Sequence, residues 1–354
     1  MKRILITGGA GFAGSNLAIE FARNFSGVSI VALDNLKRRG SELNLSRLRE
    51  YGVEFAHGDV RIRDDILALG AVDLIIDCSA EPSVMAGREG SPEYVIQTNL
   101  GGTINCLEAA RLHGADLVFL STSRVYPIQS INLLDYRETE TRFELLPEQE
   151  TRGASEYGIS EDFPLDGVRS LYGTTKLSSE LLIQEYIDTY GIRAITNRCG
   201  VLTGPWQMGK VDQGVVVLWV AKHLFEKSLS YIGYGGSGKQ VRDVLHISDL
   251  FSLLETQLRD LDRFNGNTFN VGGGREVSTS LLELTDLCRE STGKTIRIDR
   301  TPESRPGDLI SYVTDYRKIA SAANWAPSHS APSIVEGITR WITDNKDALE
   351  PILS

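Results

Sequence analysis

The stretch RILITGGAGFAGSNLAIEF, residues 3–21, decides the fold. A short apolar run, Ile4 to Ile6, stops at Thr7 and a glycine-rich turn, and helix-like apolar spacing begins directly after it. That is the pattern of a buried strand feeding a helix through a tight turn. Gly9, Gly11 and Gly14 meet a G-x-G-x-x-G spacing, and Gly8, Gly11 and Gly14 meet the wider G-x-x-G-x-x-G form. Such glycines let backbone turn sharply, approach a pyrophosphate and bring the helix onto the strand. The helix N-terminus then offers N–H groups and a partial positive charge to the phosphates. Asp34 closes the second apolar run, 20 residues after Gly14. A carboxylate there accepts from both ribose hydroxyls and repels a 2′-phosphate, which favours NAD over NADP. Lys37, Arg38 and Arg39 are nearby charges that could hold such a phosphate. Asp59, in HGDV after the third run, is placed to meet the adenine ring.

The rhythm continues outward from this unit. VSIVAL (28–33), VEFAHG (53–58), DLIIDCS (73–79), DLVFLST (116–122) and IRAITNR (192–198) read as strands separated by helical stretches. Alternation at that interval implies right-handed crossovers and a parallel sheet covered on both faces. The predicted fold class is α/β, a Rossmann-type doubly wound parallel sheet with a smaller α/β substrate-binding lobe. The first domain is expected over 1–199, rejoined by about 243–271, and the lobe mainly over 200–354. One helix is expected over 92–113. Beyond 200 the spacing predicts helices near 212–227, 247–260, 278–291 and 331–345, a strand near 229–232 and a turn at GYGGSGK (233–239). The polar, acidic stretch 127–169 breaks the pattern, and so long a connection is expected to be functional or mobile.

Composition removes several function classes. The chain has 354 residues, 41% of them hydrophobic and 24% charged, as in a globular protein large enough for two domains. Its net charge is -10 and its longest basic block is KRR at 37–39, which argues against a nucleic-acid partner. No apolar run nears the ~20 residues that span a bilayer, so no membrane partner is expected. Glycines interrupt the N-terminus at once, unlike a signal peptide, and a cytoplasmic location is expected. Cys78, Cys106, Cys199 and Cys288 are scattered in apolar settings and read as buried thiols, with no disulfide framework and no metal motif.

SLYGTTK (170–176) opens a helix with Ser170 at its cap. Tyr172 and Lys176 stand four apart and leave the same helix face. A tyrosine with a pKa near ~10 is a poor base at neutral pH. A lysine ammonium and a cationic nicotinamide beside it favour the phenolate. The tuned phenol can take a proton from a carbinol hydroxyl as hydride leaves the same carbon, with Thr122 orienting that hydroxyl. The Tyr/Lys spacing by itself is common; its weight comes from following a glycine turn and a strand that ends in STS (121–123).

In that order the chain resembles an extended short-chain dehydrogenase/reductase of the nucleotide-sugar epimerase and dehydratase group. TGGAGFAG (7–14), DNL (34–36), HGDVR (57–61), TNLGGT (98–103), STSRVYP (121–127), YGTTK (172–176), GKQVRDVLHISD (238–249) and RPGD (305–308) carry the resemblance along nearly the whole length. It implies catalytic roles for Thr122, Tyr172 and Lys176. It implies an NAD site made of Gly8, Gly11, Phe12, Ala13 and Gly14 in the turn, and of Asp34, Asn35 and Leu36 after the second strand. Asp59, Val60, Ser79, Ala80 and Asn99 continue that site, with Tyr172, Lys176 and Cys199 near the nicotinamide, where Arg198 and Gly200 also pass. Arg242 and Arg305 resemble the diphosphate-binding arginines, whose forked guanidinium groups suit phosphate oxygens. Thr122, Arg124, Gln213 and Asp308 complete the implied substrate contacts. The resemblance also implies a homodimer or homotetramer formed through the helices near 92–113 and 170–190.

Arg124 narrows the reaction. Dehydratases of this group carry an Asp–Glu pair directly after the catalytic threonine to eliminate water, and decarboxylating relatives keep the glutamate. Here Ser123 and Arg124 fill those positions. What remains is machinery for removing and returning hydride, which inverts a carbinol carbon without other acid–base groups. Arg124 itself reads equally as a substrate contact or as a solvated charge. KVDQGVVVLWVAKH (210–223) and RETETRFE (137–144) resemble the branch that inverts C2 of a CDP-sugar, in which a lysine stands at the position of Arg124. CSAEPSVMAG (78–87) and Leu171 depart from the common pattern, in place of a glutamine-containing stretch and a proline. A UDP-hexose 4-epimerase is the neighbouring alternative. A net NAD(P)-dependent dehydrogenase or reductase and a non-enzymatic NAD-sensing protein are readings of other classes.

Overall fold

The computed structural model describes residues 1–88, 90–210 and 213–354. In chain order it begins with β1 (Arg3–Thr7), α1 (Phe12–Asn24), β2 (Ser29–Asp34), α2 (Asn44–Glu50), β3 (Glu54–His57), α3 (Arg63–Leu67) and β4 (Leu74–Asp77). Then come α4 (Glu93–Ile96), a π-turn over Gln97–Gly101, α5 (Gly102–His113) and β5 (Asp116–Thr122). The next segment holds α6 (Ile128–Asn132) and the strands β6 (Tyr136–Glu138), β7 (Phe143–Leu145), β8 (Ala154–Ser155) and β9 (Gly158–Ile159). α7 (Leu171–Tyr190), β10 (Ala194–Cys199), β11 (Val201–Thr203), α8 (Val215–Leu224), β12 (Leu229–Ile232), β13 (Val241–His246) and α9 (Ile247–Arg259) follow. The chain ends with α10 (Leu261–Phe264), β14 (Thr268–Val271), β15 (Ser278–Ser280), α11 (Leu281–Thr292), β16 (Ile298–Thr301), β17 (Ser311–Tyr312), α12 (Arg317–Ala323), α13 (Ala331–Asp344) and α14 (Lys346–Leu353).

The main sheet has the order β14-β10-β5-β4-β1-β2-β3. The run from β5 through β4, β1 and β2 to β3 is parallel throughout. Its direction of winding reverses between β1 and β4, where a doubly wound sheet opens a crevice at the carboxyl ends of its strands. The strands are apolar without alternation because both faces are covered. Leu5, Val31, Ile75, Leu117 and Phe119 pack with Cys106, Leu107, Ala110 and Ile183 of α5 and α7. On α1, Leu17 and Phe21 are fully buried, and Phe21 meets Phe251 of α9 edge-on at 5.1 Å.

Two compact units emerge. The first contains residues 1–125, 170–198 and 250–269, the second 126–169, 199–249 and 270–354. The stretch 126–169, expected inside the first domain, goes with the second unit, and the return to the first spans 250–269 rather than 243–271. In the second unit β13 pairs in parallel with β11 and β17 and antiparallel with β15, while β12 and β16 form a separate parallel pair. Trp219 of α8 donates its indole N–H to Thr285 of α11 at 3.1 Å.

Three expectations change in detail. The single helix over 92–113 is divided by the π-turn, a change of one residue per turn that apolar spacing does not resolve. The helix expected from 278 starts at Leu281, after β15, with Ser280 and Glu283 forming a reciprocal cap. α8 begins at Val215, and the expected start at position 212 lies outside the described residues.

A histidine pair sits beside the end of β13. The His246 ring stacks on His329 with centroids 4.2 Å apart, and its Nδ1 lies 2.6 Å from Ser248 Oγ. His329 Nδ1 is 3.0 Å from Asp249 Oδ1, which also accepts from Ser328. Burial, with His329 next, pushes the His246 imidazole from 6.5 down to about 4. The unfolded chain therefore binds a proton at mild acidity that the folded chain refuses. Stability contributed by the neutral ring is complete above pH ~6.5 and falls as pH drops toward ~4. Between pH 7 and pH 5 the urea-unfolding free energy is expected to fall by about 2 kcal/mol more for the native chain than for His246→Gln. Equal losses in the two proteins would assign the acid sensitivity to other groups.

Candidate active site

The glycine turn is built to hold backbone close to backbone. Gly8 has φ +62°, and a Cβ at Gly14 would stand 2.2 Å from the Gly8 carbonyl oxygen. Gly11 is the N-cap of α1 and no side chain caps that end. Asp34 Oδ2 accepts from Ala10 N at 3.1 Å and Oδ1 from Leu36 N at 2.7 Å, which ties the end of β2 to the turn. Burial pushes the Asp34 carboxyl up against the pull of these N–H groups. A cradle that a Cβ would fill, an uncapped helix N-terminus and a carboxylate with lone pairs to spare fit a dinucleotide.

The residues expected near the adenine are cross-linked. Asn35 donates to Asp59 Oδ2 at 2.9 Å, and Arg61 forks onto the same carboxylate at 2.9 and 2.7 Å. The Arg61 guanidinium holds the Asp59 carboxyl far below the usual range. The Lys37 ammonium lies 3.2 Å from the Tyr94 ring centroid, with Arg61 also over that ring at 4.9 Å. Val60 is buried and its carbonyl accepts from Asn105 at 2.8 Å.

The reacting side gathers at the strand ends. Thr122 closes β5, 6% exposed, and its Oγ1 accepts from Arg124 N at 3.2 Å. Ser170 caps α7 by accepting from Gly173 N at 3.1 Å. One turn separates Tyr172, half-buried, from Lys176, which is 1% exposed. The Lys176 ammonium sits 3.5 Å from the Ser79 carbonyl just past β4 and 4.4 Å from the Phe119 ring centroid. Ser79 N is in turn held by Asp77 Oδ1 and Thr7 Oγ1, across the gap between β1 and β4. Ala80, half-buried, follows directly. Asn99 lies in the π-turn, fully buried; it accepts from Glu81 N at 2.7 Å and donates to Glu81 O and Thr175 Oγ1. It thereby fixes the loop after β4 against α7.

The sequence reading missed Glu180. It lies four residues beyond Lys176 and is buried, 3% exposed. Ser121 Oγ donates to it at 2.5 Å, and Arg198 meets it through Nε at 3.1 Å and Nη2 at 2.7 Å. A carboxylate continuing the Tyr172–Lys176 face at the next turn was the available signal.

In the second unit, Arg242 of β13 donates to the Val241 carbonyl at 2.7 Å. Burial pushes its guanidinium pKa down, with the Asp308 charge acting against this and Tyr136 and Tyr234 nearby. Arg305 Nε is 3.4 Å from Asp308 Oδ2, the carboxylate whose charge also favours the Arg242 cation. Gln213 is held in a tight backbone pair with Lys210, at 2.7 and 3.0 Å. Cys199, 4% exposed, ends β10.

Removing the Glu180 carboxylate leaves Arg198 charged and buried. Glu180→Ala is expected to cost about 3–5 kcal/mol in urea unfolding, and Glu180→Gln less. A cost under about 1 kcal/mol for Ala would place the pair in contact with water. Gly14→Ala is expected to abolish copurification of the dinucleotide, read by absorbance and mass spectrometry of the released cofactor.

The chain is similar to known proteins along its length. The chain is 34% identical over 346 residues to CDP-paratose 2-epimerase of Salmonella typhi, covering 96% of this chain and 98% of that one. It is 27% identical over 371 residues to dTDP-glucose 4,6-dehydratase of Neisseria meningitidis, covering 100% and 97%. The solved complex of Thermus thermophilus UDP-glucose 4-epimerase with NAD superposes with a TM-score of 0.76 at 25% identity, covering 96% of this chain and 99% of that one. Residues 4–272 match the model of the NAD dependent epimerase/dehydratase family. With a glycine cradle at the reversal of a doubly wound sheet and a Tyr/Lys helix beside it, the chain belongs to the NAD-dependent epimerase/dehydratase family, and its cofactor is NAD.

Proposed function

We propose that this protein inverts C2 of a CDP-sugar, converting CDP-paratose into CDP-tyvelose. The observation that carries the reading is the strand end Thr122–Ser123–Arg124, which keeps the hydroxyl for orienting a carbinol and lacks the carboxylates that eliminate water. The similarity to CDP-paratose 2-epimerase over nearly the full length of both chains supports the choice of sugar.

In this reading Thr122 Oγ1 and the Tyr172 phenol hold the C2 hydroxyl. NAD, when bound, supplies the acceptor for the hydride on that carbon and the donor for its return. Tyr172 takes the hydroxyl proton and later gives it back, as general base and then general acid. Lys176, nearly dry beside the Ser79 carbonyl, favours the phenolate with its charge. Arg242 and Arg305 hold the diphosphate by charge-assisted hydrogen bonds, so that the keto sugar turns without leaving the protein.

A homodimer is part of the same reading. Leu112 of α5 and Leu181 and Tyr190 of α7 are 49%, 57% and 53% exposed, apolar side chains on the two helices that the family resemblance gives to a second copy. Among the described residues no helix is long and apolar enough to cross a membrane; we place the reaction in the cytoplasm.

Coupled assays with CDP-paratose and UDP-glucose test the substrate, and turnover of the UDP-sugar alone would replace the 2-epimerase with a 4-epimerase. Tyr172→Phe is expected to lower kcat by about 10²–10⁴-fold while NAD stays bound. A loss of only a few-fold would remove Tyr172 as the proton acceptor. In heavy water the product is expected to carry no deuterium at C2, and substrate labelled at C2 to keep its label. Solvent deuterium at that carbon would reveal a carbon acid step, for which Glu81 after β4 is the carboxylate to examine first.

A further inference from the structure

The acidic stretch 126–169 is joined to both arginine-bearing segments of its own unit. Asn132, the last residue of α6, donates to the Asp308 carbonyl at 3.0 Å and accepts from Ile310 N at 2.9 Å. One amide thus spans the backbone that carries Asp308 and follows Arg305. That backbone enters β17, which pairs Tyr312 with Arg242 of β13. The β6–β7 hairpin reaches the other segment. Phe143 N donates to Lys239 O at 3.0 Å, and Lys239 Nζ returns to Glu138 Oε1 and to Thr139 O, each at 2.8 Å. Lys239 lies three residues before Arg242. Arg142 Nη1 and Nη2 hold Ser278 through Oγ and the carbonyl, both at 2.9 Å, and its Nε meets Glu283 at 2.8 Å. Ser278 is the β15 partner of Asp243, the residue after Arg242. Phe143 also packs edge-on to Tyr234, 6.4 Å between centroids.

We infer that the stretch 126–169 is the frame of a nucleoside-diphosphate site, with Asn132 and Arg142 as positioning residues for Arg305 and Arg242. The inference rests on the reading that these two arginines take the diphosphate. Guanidinium forks bind phosphate oxygens well only when their orientation is set beforehand. Asp308 pairs with Arg305, and Asn132 holds the backbone on both sides of Leu309, beside the 3.1 Å bond from Val241 N to Ile310 O that ties the same backbone to β13. The frame meets the backbone of Asp308 and Ile310 and, on the other side, Lys239, Ser278, Glu283 and Tyr234, so the same effect is expected for every nucleoside diphosphate.

Calorimetric titration of the NAD-loaded protein with CDP, UDP and dTDP tests this. Asn132→Ala, which loses two hydrogen bonds, is expected to raise Kd about tenfold for whichever of the three bind, by the same factor for each, and Arg142→Ala, which loses more, at least as much. KM for the sugar nucleotide is expected to rise with kcat within twofold and NAD content unchanged. Asn132→Ser, a smaller change, is expected to give an intermediate Kd. Amide hydrogen exchange over residues 303–312 is expected to speed up in both Asn132 variants, a readout independent of any ligand. Unchanged Kd with Arg242→Ala and Arg305→Ala still weakening binding would overturn the positioning role and leave the diphosphate reading intact. Unchanged Kd in the two arginine variants themselves would overturn both. A fall in NAD content parallel to the loss of nucleotide affinity, or a factor that differs among the three bases, would likewise overturn it.

Discussion

A single buried carboxylate, Glu180, holds the reacting face in register. It joins α7 to Ser121 at the end of β5 and to Arg198 near the end of β10. Those bonds fix how far α7 slides along the sheet, and with it where Tyr172 and Lys176 stand relative to Thr122. A buried ion pair contributes little net stability, because desolvation of both charges offsets their attraction. Its consequence is geometric: the alternative registers leave a charge buried without a partner. A proton-transfer site that depends on hydrogen-bond reach gains from that kind of constraint.

Around this pair the polar interior is continuous. Thr7 and Thr103 both donate to Asp77 at 2.8 Å, Asp77 holds Ser79, and the Ser79 carbonyl faces Lys176. Asn99 then locks the following loop to α7 through Thr175. Thr7 and Asp77 end β1 and β4, where the winding reverses and a doubly wound sheet places its ligands, while Thr103, Asn99, Thr175 and Lys176 reach in from α5, the π-turn and α7. The π-turn belongs to this network, since it carries Asn99. Gly102 at its end allows the close approach, because a Cβ there would come within 2.8 Å of Val60.

The second unit carries the two guanidinium groups of the diphosphate reading, Arg242 on β13 and Arg305 paired with Asp308. Desolvation opposes the charge of Arg242, and Asp308 favours it. The acidic stretch that interrupts the strand–helix rhythm supplies the remaining order, through one asparagine and one arginine. Its length and composition alone suggested a functional or mobile connection. Its hydrogen bonds make it a small structured element with two hairpins.

Much of this was legible in the amino-acid sequence by itself. Apolar runs of both-face burial, the glycine spacing from Gly8 to Gly14, Asp34 at the end of the second strand and the four-residue step from Tyr172 to Lys176 are local patterns, and local patterns report backbone conformation and burial directly. They also determined the fold class, and Ser123 with Arg124 limited the chemistry. Tertiary structure alone decided that Glu180 meets residues 59 and 18 positions away, that Asn132 meets backbone 176 and 178 positions away, and that residues 126–169 join the second unit. The physical reason is the same in each case. A buried polar side chain is satisfied by whichever partner the packed chain brings within hydrogen-bond distance, and that partner leaves no periodic trace in the residues on either side.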